Sequence, residues 1–335
     1  MTRVVWFLVP AGIDDPERVS GGNVYDRRLR DGLAQRGWDV RMLEAAAAAD
    51  VPAALAAVPR GAVALVDGLV AGWAPDAIGA AAAIRLIVLA HMVLGAFADA
   101  DGAALDAERR ALAAAGRVIA TSAWTAGELV RRGLVDEERV SVALPGASGA
   151  PQGHAPGSEH RLLCVGVVAP HKGQDVLLEA LSRLRAREWT CTLAGSLAVA
   201  PDFAAGVARA AARFEGRVRT PGVLRSAELE RAYRGAGLVV APSRAESFGM
   251  ALADARSRGI PVIASAAGGI GEAVAGGGAL LVPPDDPEAL AHALWRWLAN
   301  PRLRARLRAE AVVATHRAPR WADTVADVDR VLGAA

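Results

Sequence analysis

The chain has 335 residues and a formal net charge of +2, from 38 Lys and Arg residues against 36 Asp and Glu residues. This length is sufficient for two domains, each with a core of its own. The nearly balanced charge argues against nucleic acid as a partner, because binding to a phosphate backbone requires a concentrated basic face. An apolar fraction of 53% is typical of a globular protein and excludes a disordered chain.

Cysteine content and hydropathy restrict the class further. The two cysteines, Cys164 and Cys191, cannot form a disulfide framework, and neither belongs to a CxxC pair of the kind that holds structural zinc. No segment reaches the ~18–20 consecutive apolar residues of a transmembrane helix. The apolar stretch at the start is too short for a signal peptide. We therefore expect a soluble, cytoplasmic protein, and nothing in the sequence indicates peripheral membrane contact.

Short apolar runs rich in β-branched residues alternate with longer helical patterns in the first half of the chain. Helices are predicted at Val24–Arg36, which Gly37 ends, and at Ala123–Arg132, which Gly133 ends. Apolar strands that alternate with helices indicate a parallel sheet covered on both faces, and hence a Rossmann-like domain. The predicted strands are Val4–Pro10, Asp39–Leu43, Val63–Asp67, Arg85–His91, Arg117–Thr121 and Val140–Leu144.

A segment rich in Gly, Pro, Ser and Ala, Gly146–His160, is predicted to be the linker to a second domain. The alternation then restarts, so the fold class is α/β with two doubly wound domains. The predicted strands are Arg161–Val167, Thr190–Ala194, Val218–Thr220, Leu238–Ala241, Pro261–Ala264 and Ala279–Val282. The predicted helices are Gln174–Arg187, Ala204–Phe214, Ala227–Arg234, Met250–Arg258, Pro287–Leu298, Pro301–Thr315 and Arg320–Leu332.

Ligands of doubly wound folds bind beyond the carboxyl ends of the strands, so functional residues should directly follow strands. Gly21-Gly22-Asn23 follows the first strand and opens a helix, whose unpaired N–H groups suit an anion. By itself, an ordinary turn capped by Asn23 is the better explanation. No GxGxxG fingerprint follows either initial strand, and Val274 occupies the place of the third glycine after Gly269 and Gly271. A dinucleotide-dependent dehydrogenase is therefore disfavoured.

Lys172 is the one lysine among the 38 basic residues, and it lies in the loop Gly166–Gly173 after the first strand of the second half. A lysine in so arginine-rich a chain is either a chance survivor or a residue kept where a compact ammonium is required. At the start of the next helix its charge would suit a phosphate group.

A second loop, Pro242–Gly249, follows a strand and precedes the helix that begins at Met250. Glu246 can point out of this loop, and Asp254 lies one turn into the helix. A carboxylate accepts hydrogen bonds from two hydroxyls at once, which suits a sugar or a ribose. Glu246 and Ser243 would also serve as plain helix caps, so both interpretations stay open.

These residues resemble a known family. The segment PSRAESFGMALADARSRGIPVIASAAGGIGE, which begins at Pro242, and the ALLVPPDDPEALAHAL that follows are similar to the nucleotide-sugar-binding half of the family 4 retaining glycosyltransferases, which have the GT-B fold. In the first half, the Gly21-Gly22 loop, the TSAWT segment at 121–125 and the RV…LPG pattern at 139–146 also resemble the family. The resemblance covers nearly the whole chain.

The resemblance implies a domain organisation and a set of roles. Residues 1–148 would form the acceptor-binding domain, with a helix of about 318–335 packed back on it, and residues 149–317 the donor-binding domain, facing the first across a cleft. Glu246 would hold the donor sugar, Lys172 the diphosphate, and His91 would lie near the transferred sugar. The further donor-binding residues are Gly21, Gly22, Ser243, Ser247, Phe248, Gly249, Met250 and Asp254, with the base near Gly222, Val223 and Leu224.

Two positions depart from the family pattern. Asp254 stands for the second signature glutamate and is one methylene shorter, and Val167 stands for an arginine that commonly follows the glycine. Lys172 is then the diphosphate cation, alone or with an arginine from elsewhere. These departures keep a non-catalytic or degenerate nucleotide-sugar-binding protein open as an alternative. Another GT-B enzyme, such as a nucleotide-sugar epimerase or a phosphorylase, is a further alternative.

The resemblance also implies a mechanism and its partners. A nucleotide-sugar donor would transfer its hexosyl group to a small-molecule or glycan acceptor by same-face substitution, with the leaving diphosphate taking the acceptor's proton. No cofactor and no metal are expected. Asp99-Ala100-Asp101 resembles a metal-binding DxD motif, but it precedes a predicted helix and is expected to cap it. Arg27, Arg28 and Arg30 are expected to form a solvated face, with an anionic acceptor or a lipid surface as the alternative.

Overall fold

The computed structural model describes residues 3–97, 100–148, 158–184, 186–316 and 319–334. The chain divides into two compact units. The first unit comprises Met1–Asp15, Gly22–Gly146 and Pro319–Ala335, and the second comprises Pro16–Gly21 and Ala147–Ala318. The second unit therefore includes Pro16–Gly21, which the sequence-based division at residue 148 had left in the first.

Within its described residues, the first unit contains one parallel sheet of six strands in the order β2-β1-β3-β4-β5-β6. The strands are β1 Arg3–Pro10, β2 Trp38–Ala45, β3 Val63–Asp67, β4 Arg85–Ala90, β5 Arg117–Ala120 and β6 Val140–Val142. The helices are α1 Gly21–Gln35, α2 Val51–Ala56, α3 Gly68–Trp73, α4 Pro75–Ala80, α5 Gly102–Ala114 and α6 Ala123–Arg131. The chain order reverses between β1 and β3, which is the switch point of this sheet.

The first sheet buries both of its faces because side chains alternate along each strand. Val5, Phe7 and Val9 of β1 pack with α1, whereas Leu8 packs on the opposite face among the helices that follow β3. Such two-sided burial is the reason that these strands are continuous apolar runs.

The last helix of the chain, at Trp321–Ala334, packs on the first unit. Its buried residues Val325, Val328 and Leu332 belong to the same hydrophobic cluster as α1. A Cβ at Gly32 of α1 would lie 2.4 Å from Val325 Cγ2, so the glycine permits close helix contact. Asp329 accepts hydrogen bonds from three side chains at 2.7–2.9 Å, those of Arg3, Arg36 and Trp38.

Where it is described, the second unit contains a parallel six-stranded sheet in the order β12-β11-β10-β7-β8-β9, with its switch point between β7 and β10. The strands are β7 Ser158–Val165, β8 Thr190–Ala194, β9 Val218–Gly222, β10 Ala236–Ala241, β11 Val262–Ser265 and β12 Ala279–Val282. The helices are α7 Gln174–Ser182, α8 Pro201–Ala212, α9 Ser226–Gly235, α10 Met250–Ser257, α11 Ile270–Ala273, α12 Pro287–Ala299 and α13 Pro301–Thr315, and the last helix of the chain is α14.

Several sequence-based boundaries were wrong, among them the start of α1, which lies at Gly21 and not at Val24, the end of the linker and the end of α7. The linker was predicted to run to His160, but Ser158–His160 begin β7, where Ser158 pairs with Ala236; residues 149–157 lie outside the described residues. Helix α7 ends at Ser182 and not at Arg187. Beyond it, the carbonyl of Leu184 accepts hydrogen bonds of 3.0 Å from both the N–H of Arg187 and the Trp189 indole, so the chain continues as a turn that packs on Trp189. None of the described helices combines the length and the apolar run needed to cross a bilayer.

Candidate active site

Lys172 and Glu246 lie together at the switch point of the second sheet. Lys172 ends a short 3-10 turn after β7, and Glu246 lies in the loop after the neighbouring strand β10. The Lys172 Nζ and Glu246 Oε2 atoms are 2.5 Å apart. Their side chains are 22% and 17% exposed, so the ion pair reaches the surface where ligands of doubly wound folds bind.

The loops that carry this pair are joined by Arg244. Its guanidinium donates to both oxygens of Asp175, at 2.9 and 2.8 Å, and to Asp285 and the Pro170 carbonyl, each at 2.7 Å. Its backbone N–H donates to the carbonyl of His171 at 2.8 Å. Arg244 was not singled out from the sequence, although it lies inside the PSRAES segment. Two carboxylates and a carbonyl accept hydrogen bonds from its guanidinium, which therefore links the loop after β10 to the loop after β7 and to Asp285.

Two glycines allow the loop backbones to approach each other. Gly173 has a φ of 67°, and a Cβ there would lie 2.1 Å from the Pro242 carbonyl oxygen. Gly268 has a φ of 54°, and a Cβ there would lie 2.0 Å from the Glu246 carbonyl oxygen. A side chain would be strained at both positions and would push Lys172 or Glu246 out of place.

The other expected donor residues surround Glu246. Ser243 and Phe248 are buried, so the role expected of Phe248 would fall to its backbone amide. Ser247 is half-buried, and Gly249, with a φ of 101°, precedes the first residue of α10, Met250. The loop therefore ends at a helix N-terminus, where unpaired N–H groups favour an anion.

Asp254, the expected ribose carboxylate, contacts the segment that enters the second unit. Its Oδ1 accepts a hydrogen bond of 2.8 Å from the backbone N–H of Ser148, and the Ser257 hydroxyl donates to the Ser148 carbonyl at 3.0 Å. The shorter side chain is thus used to hold Ser148 against α10, a contact that no local sequence signal indicates.

The three residues expected near the base, Gly222, Val223 and Leu224, lie at the end of β9 and in the loop after it, and all are half-buried. Because β7, β8 and β9 are parallel neighbours, this loop lies at the same edge of the sheet as Lys172. The Gly222 carbonyl accepts a hydrogen bond of 2.9 Å from the N–H of Gly195, in the loop after β8.

In the first unit, His91 directly follows β4 and faces two carboxylates. Its Nε2 lies 2.9 Å from Asp26 Oδ1 and 3.3 Å from Asp67 Oδ2. Asp26 comes from α1 and is fully buried, and Asp67 ends β3 and caps α3 through the N–H of Leu69 at 2.6 Å. The sequence interpretation missed both aspartates. Two sequence features could have identified them: Asp26 is a charged residue on the apolar face of a predicted helix, and Asp67 is a carboxylate at the end of an apolar strand.

Two further groups fix the His91 ring. The Tyr25 ring meets it edge-on with centroids 5.2 Å apart, and the Tyr25 hydroxyl donates to the Ala143 carbonyl at 2.9 Å. A Cβ at Gly22 would lie 3.4 Å from His91 Cδ2, so the backbone of the glycine pair packs beside the ring. Gly21 begins α1.

The electrostatics of this cluster favour a charged imidazole. Burial lowers the pKa of His91, but the neighbouring Asp26 and Asp67 outweigh that effect, and its pKa is raised above the usual value. Burial also raises the pKa of Asp26, with His91 opposing it. Oδ2 of Asp26 is buried and has no hydrogen-bond partner among the described residues, so the charge of Asp26 depends on His91 for compensation.

Asp26, Asp67 and His91 also have the composition of a metal site. Among the described residues, they are the one group of at least three His, Cys, Asp or Glu side chains whose potential ligand atoms all lie within 4.8 Å of one another. An imidazole N–H shared by two carboxylates accounts for the 2.9 and 3.3 Å distances, and we assign a proton to this position.

The remaining sequence candidates have local structural contacts. Arg27 donates to the Ile13 carbonyl at 2.6 Å, and Arg30 pairs with Asp14 at 2.6 Å, so both hold the loop after β1. The expected cap at the DxD-like segment was wrong for Asp101, which precedes α5 but makes no side-chain capping bond. Asp99 lies outside the described residues.

Comparison with solved structures shows the fold. The structure of sucrose-phosphate synthase from Thermosynechococcus elongatus has a TM-score of 0.82 at 21% identity, and the match covers 99% of this chain and 98% of that one. The structure of Anabaena Alr3699/HepE in complex with UDP and glucose has a TM-score of 0.75 at 18% identity, with 99% of both chains covered. The two parallel six-stranded sheets with interleaved helices are the GT-B fold.

Sequence comparison shows the family. The D-inositol 3-phosphate glycosyltransferase of Streptomyces scabiei is 30% identical over 328 residues, which cover 84% of this chain and 73% of that protein. Matches with three other curated relatives span only 44% to 58% of the relatives' length. The family model described as Glycosyl transferases group 1 matches residues 159–300, which include both Lys172 and Glu246. The chain belongs to this family, the glycosyl transferases group 1.

Proposed function

We propose that the protein is a retaining glycosyltransferase of family 4, which transfers a hexosyl group from a nucleoside-diphosphate sugar to an acceptor hydroxyl. The observation that carries this proposal is the Lys172–Glu246 pair at the switch point of the second sheet, whose charged atoms are 2.5 Å apart and whose side chains are partly exposed. A cation suited to phosphate and a carboxylate suited to sugar hydroxyls are thereby adjacent, on loops that Arg244 and Gly173 hold in place.

The chemistry follows from the charge that develops on the leaving group. As the glycosidic bond breaks, negative charge collects on the diphosphate, and Lys172 and the N–H groups at the start of α10 are the donors that stabilise it. Glu246 orients the sugar through its hydroxyls, and His91 acts near the transferred sugar. The leaving phosphate oxygen takes the acceptor's proton while the new bond forms on the same face.

Uridine diphosphate sugars are the first donors to test, because the similar HepE structure was solved in complex with UDP and glucose. The first acceptor is D-inositol 3-phosphate, the compound in the name of the relative from Streptomyces scabiei. We assign the reaction to the cytoplasm, because two buried free cysteines, Cys164 and Cys191, fit a reducing compartment.

The test is a donor screen followed by product analysis. UDP, GDP, TDP and ADP with their hexose conjugates are compared by thermal shift, since a ligand at ~100 times its Kd adds ~2.7 kcal/mol of stability. The donor series that binds is then incubated with the acceptor, and the anomeric configuration of the product is determined by proton NMR. An α-linked product from an α-linked donor supports retention. An inverted product contradicts the mechanism, and the absence of binding by every nucleotide contradicts the proposal.

Replacement of Lys172 tests the leaving-group assignment. Lys172→Ala is expected to lower kcat about 100-fold or more, the usual effect of removing one donor to developing charge. Arg183→Ala, directly after α7, is the matched control, because this exposed arginine pairs with Glu179 of the same helix at 3.0 Å. Near-wild-type activity of Lys172→Ala would show that another group neutralises the diphosphate.

A degenerate nucleotide-sugar-binding protein is a second candidate, and the contact between Asp254 and Ser148 favours it, because the expected ribose carboxylate is engaged elsewhere. This candidate predicts a thermal shift with one nucleotide series and no turnover. An epimerase, by contrast, would convert the donor without any acceptor, which NMR of the donor alone would detect.

A further inference from the structure

The two carboxylates around His91 have no part in the proposed function as stated above. We infer that Asp26 is a positioning residue that keeps His91 a fixed cation, so that His91 acts on the substrate as a hydrogen-bond donor through Nδ1–H and not as a base. The inference deepens the proposed function and rests on it for the identity of the substrate.

The geometry places both carboxylates on the same ring nitrogen. Asp26 Oδ1 and Asp67 Oδ2 lie 2.9 and 3.3 Å from Nε2, which is the arrangement of one N–H donating to two acceptors. The titratable groups that face the ring are Asp26 and Tyr25 from α1 and Asp67 from the end of β3. Asp67 also accepts a hydrogen bond from the N–H of Leu69, whereas Asp26 Oδ2 has no hydrogen-bond partner among the described residues. A neutral imidazole would therefore leave the buried charge of Asp26 without compensation, and protonation of the ring supplies it.

The opposite side of the ring is the side available to a ligand. The His91 side chain is 14% exposed, and its Nδ1 makes no hydrogen bond to a described residue. Gly22 and Tyr25 hold the ring plane, so the direction of Nδ1 is fixed. An imidazolium has no free lone pair, so in this state it can donate a hydrogen bond to a substrate oxygen but cannot accept a proton.

The protonation state is measured on the wild-type protein. Nitrogen-15 NMR of the six histidines, with His91→Gln used to assign the His91 signals, is expected to show both ring nitrogens protonated at about pH 8, well above the ordinary histidine pKa of about 6.5. A bare ring nitrogen at about pH 7 would overturn the inference. A divalent ion found in the purified protein by elemental analysis, and lost in His91→Gln, would also overturn it.

The positioning role is tested with Asp26→Asn, which keeps the shape of the side chain and removes its charge. Without this carboxylate the pKa of His91 falls, so the ring loses its proton at a lower pH than in the wild type. We expect kcat at about pH 8 to drop about tenfold or more with little change in donor KM, and to recover toward about pH 6. The wild type is expected to vary little over that range. A variant that is more active at high pH would show that His91 works as a base.

Matched variants separate this effect from a structural one. Asp31→Asn removes an exposed carboxylate from the same helix, one that pairs with Arg30, and is expected to leave the pH profile unchanged. In the His91→Gln background, Asp26→Asn is expected to cause no further loss, because Asp26 acts through the imidazole. Additive losses would overturn the inference. If the wild type transfers no sugar at all, the proposed function fails, whereas the NMR measurement still tests the state of His91.

Discussion

At the scale of single residues, the second unit depends on backbone approaches that only glycine permits. The 3-10 turn that carries Lys172 ends at Gly173, whose missing side chain lets the Pro242 carbonyl come close. In the first unit, the buried carboxylate of Asp26 is supported by the ring of His91. Lys172 and His91, the two side chains proposed to meet the substrate, are thus each held in position by a neighbouring residue.

Gly173→Ala tests the importance of this approach, and Gly216→Ala is its control. Both glycines have positive φ, at 67° and 85°, but a Cβ at Gly216 would meet nothing within 4 Å. We expect Gly216→Ala to cost about 1–2 kcal/mol of unfolding free energy and to leave donor binding intact. Gly173→Ala should cost more and weaken donor binding, as measured by chemical denaturation and nucleotide titration. Equal losses in the two variants would contradict a role for the Pro242 contact.

At the scale of elements, α14 extends the core of the first unit although it is the last helix of the chain. Val325, Val328 and Leu332 are buried in the hydrophobic cluster that also contains residues of α1 and β1, and Asp329 is held by donors from β1, β2 and the segment between α1 and β2. The helical spacing of these residues predicted the helix. The spacing did not indicate which unit it packs on, since an amphipathic face fits either sheet.

Leu332→Ala is expected to destabilise the first unit by about 2–5 kcal/mol, because the deletion leaves a cavity in the hydrophobic cluster shared with α1 and β1. Hydrogen exchange should become faster in peptides from α1 and β1 and stay unchanged in peptides from α7 and α8. Arg330→Ala, at a mostly exposed position of the same helix, is the control. Equally faster hydrogen exchange in the peptides of both units would show that α14 does not stabilise the first unit specifically.

At the scale of the whole molecule, the α/β class and the strands of both sheets were predictable because their signals are local. Apolar runs, glycines that end helices and loops that follow strands can each be recognised within a short stretch of sequence. Lys172 and Glu246 were identified as candidates from such loops. The features that were not predicted are contacts between segments far apart in the sequence. Asp26 of α1 contacts His91 after β4, Arg244 contacts Asp285, and Asp254 contacts Ser148.

The absence of a metal requirement is a prediction about the whole reaction. We propose that positive charge at the diphosphate comes from Lys172 and the start of α10, and that the imidazole proton occupies the position between Asp26 and Asp67. Transfer is therefore expected to continue at the same rate in EDTA and to gain nothing from added Mg²⁺. Loss of activity in EDTA with recovery on addition of Mg²⁺ would contradict the assignment of the diphosphate charge to Lys172 and α10.

The solitary lysine also provides a spectroscopic probe. Because Lys172 is the one lysine of 335 residues, protein grown on lysine labelled with carbon-13 at the ε position would contain a single labelled methylene, beside Glu246. Its signal would follow the exchange of a carboxylate neighbour for a phosphate neighbour without any mutation. The same scarcity means that, among side chains, an amine-directed reagent would modify this position and no other, so protection by a bound nucleotide would be visible as the loss of one adduct.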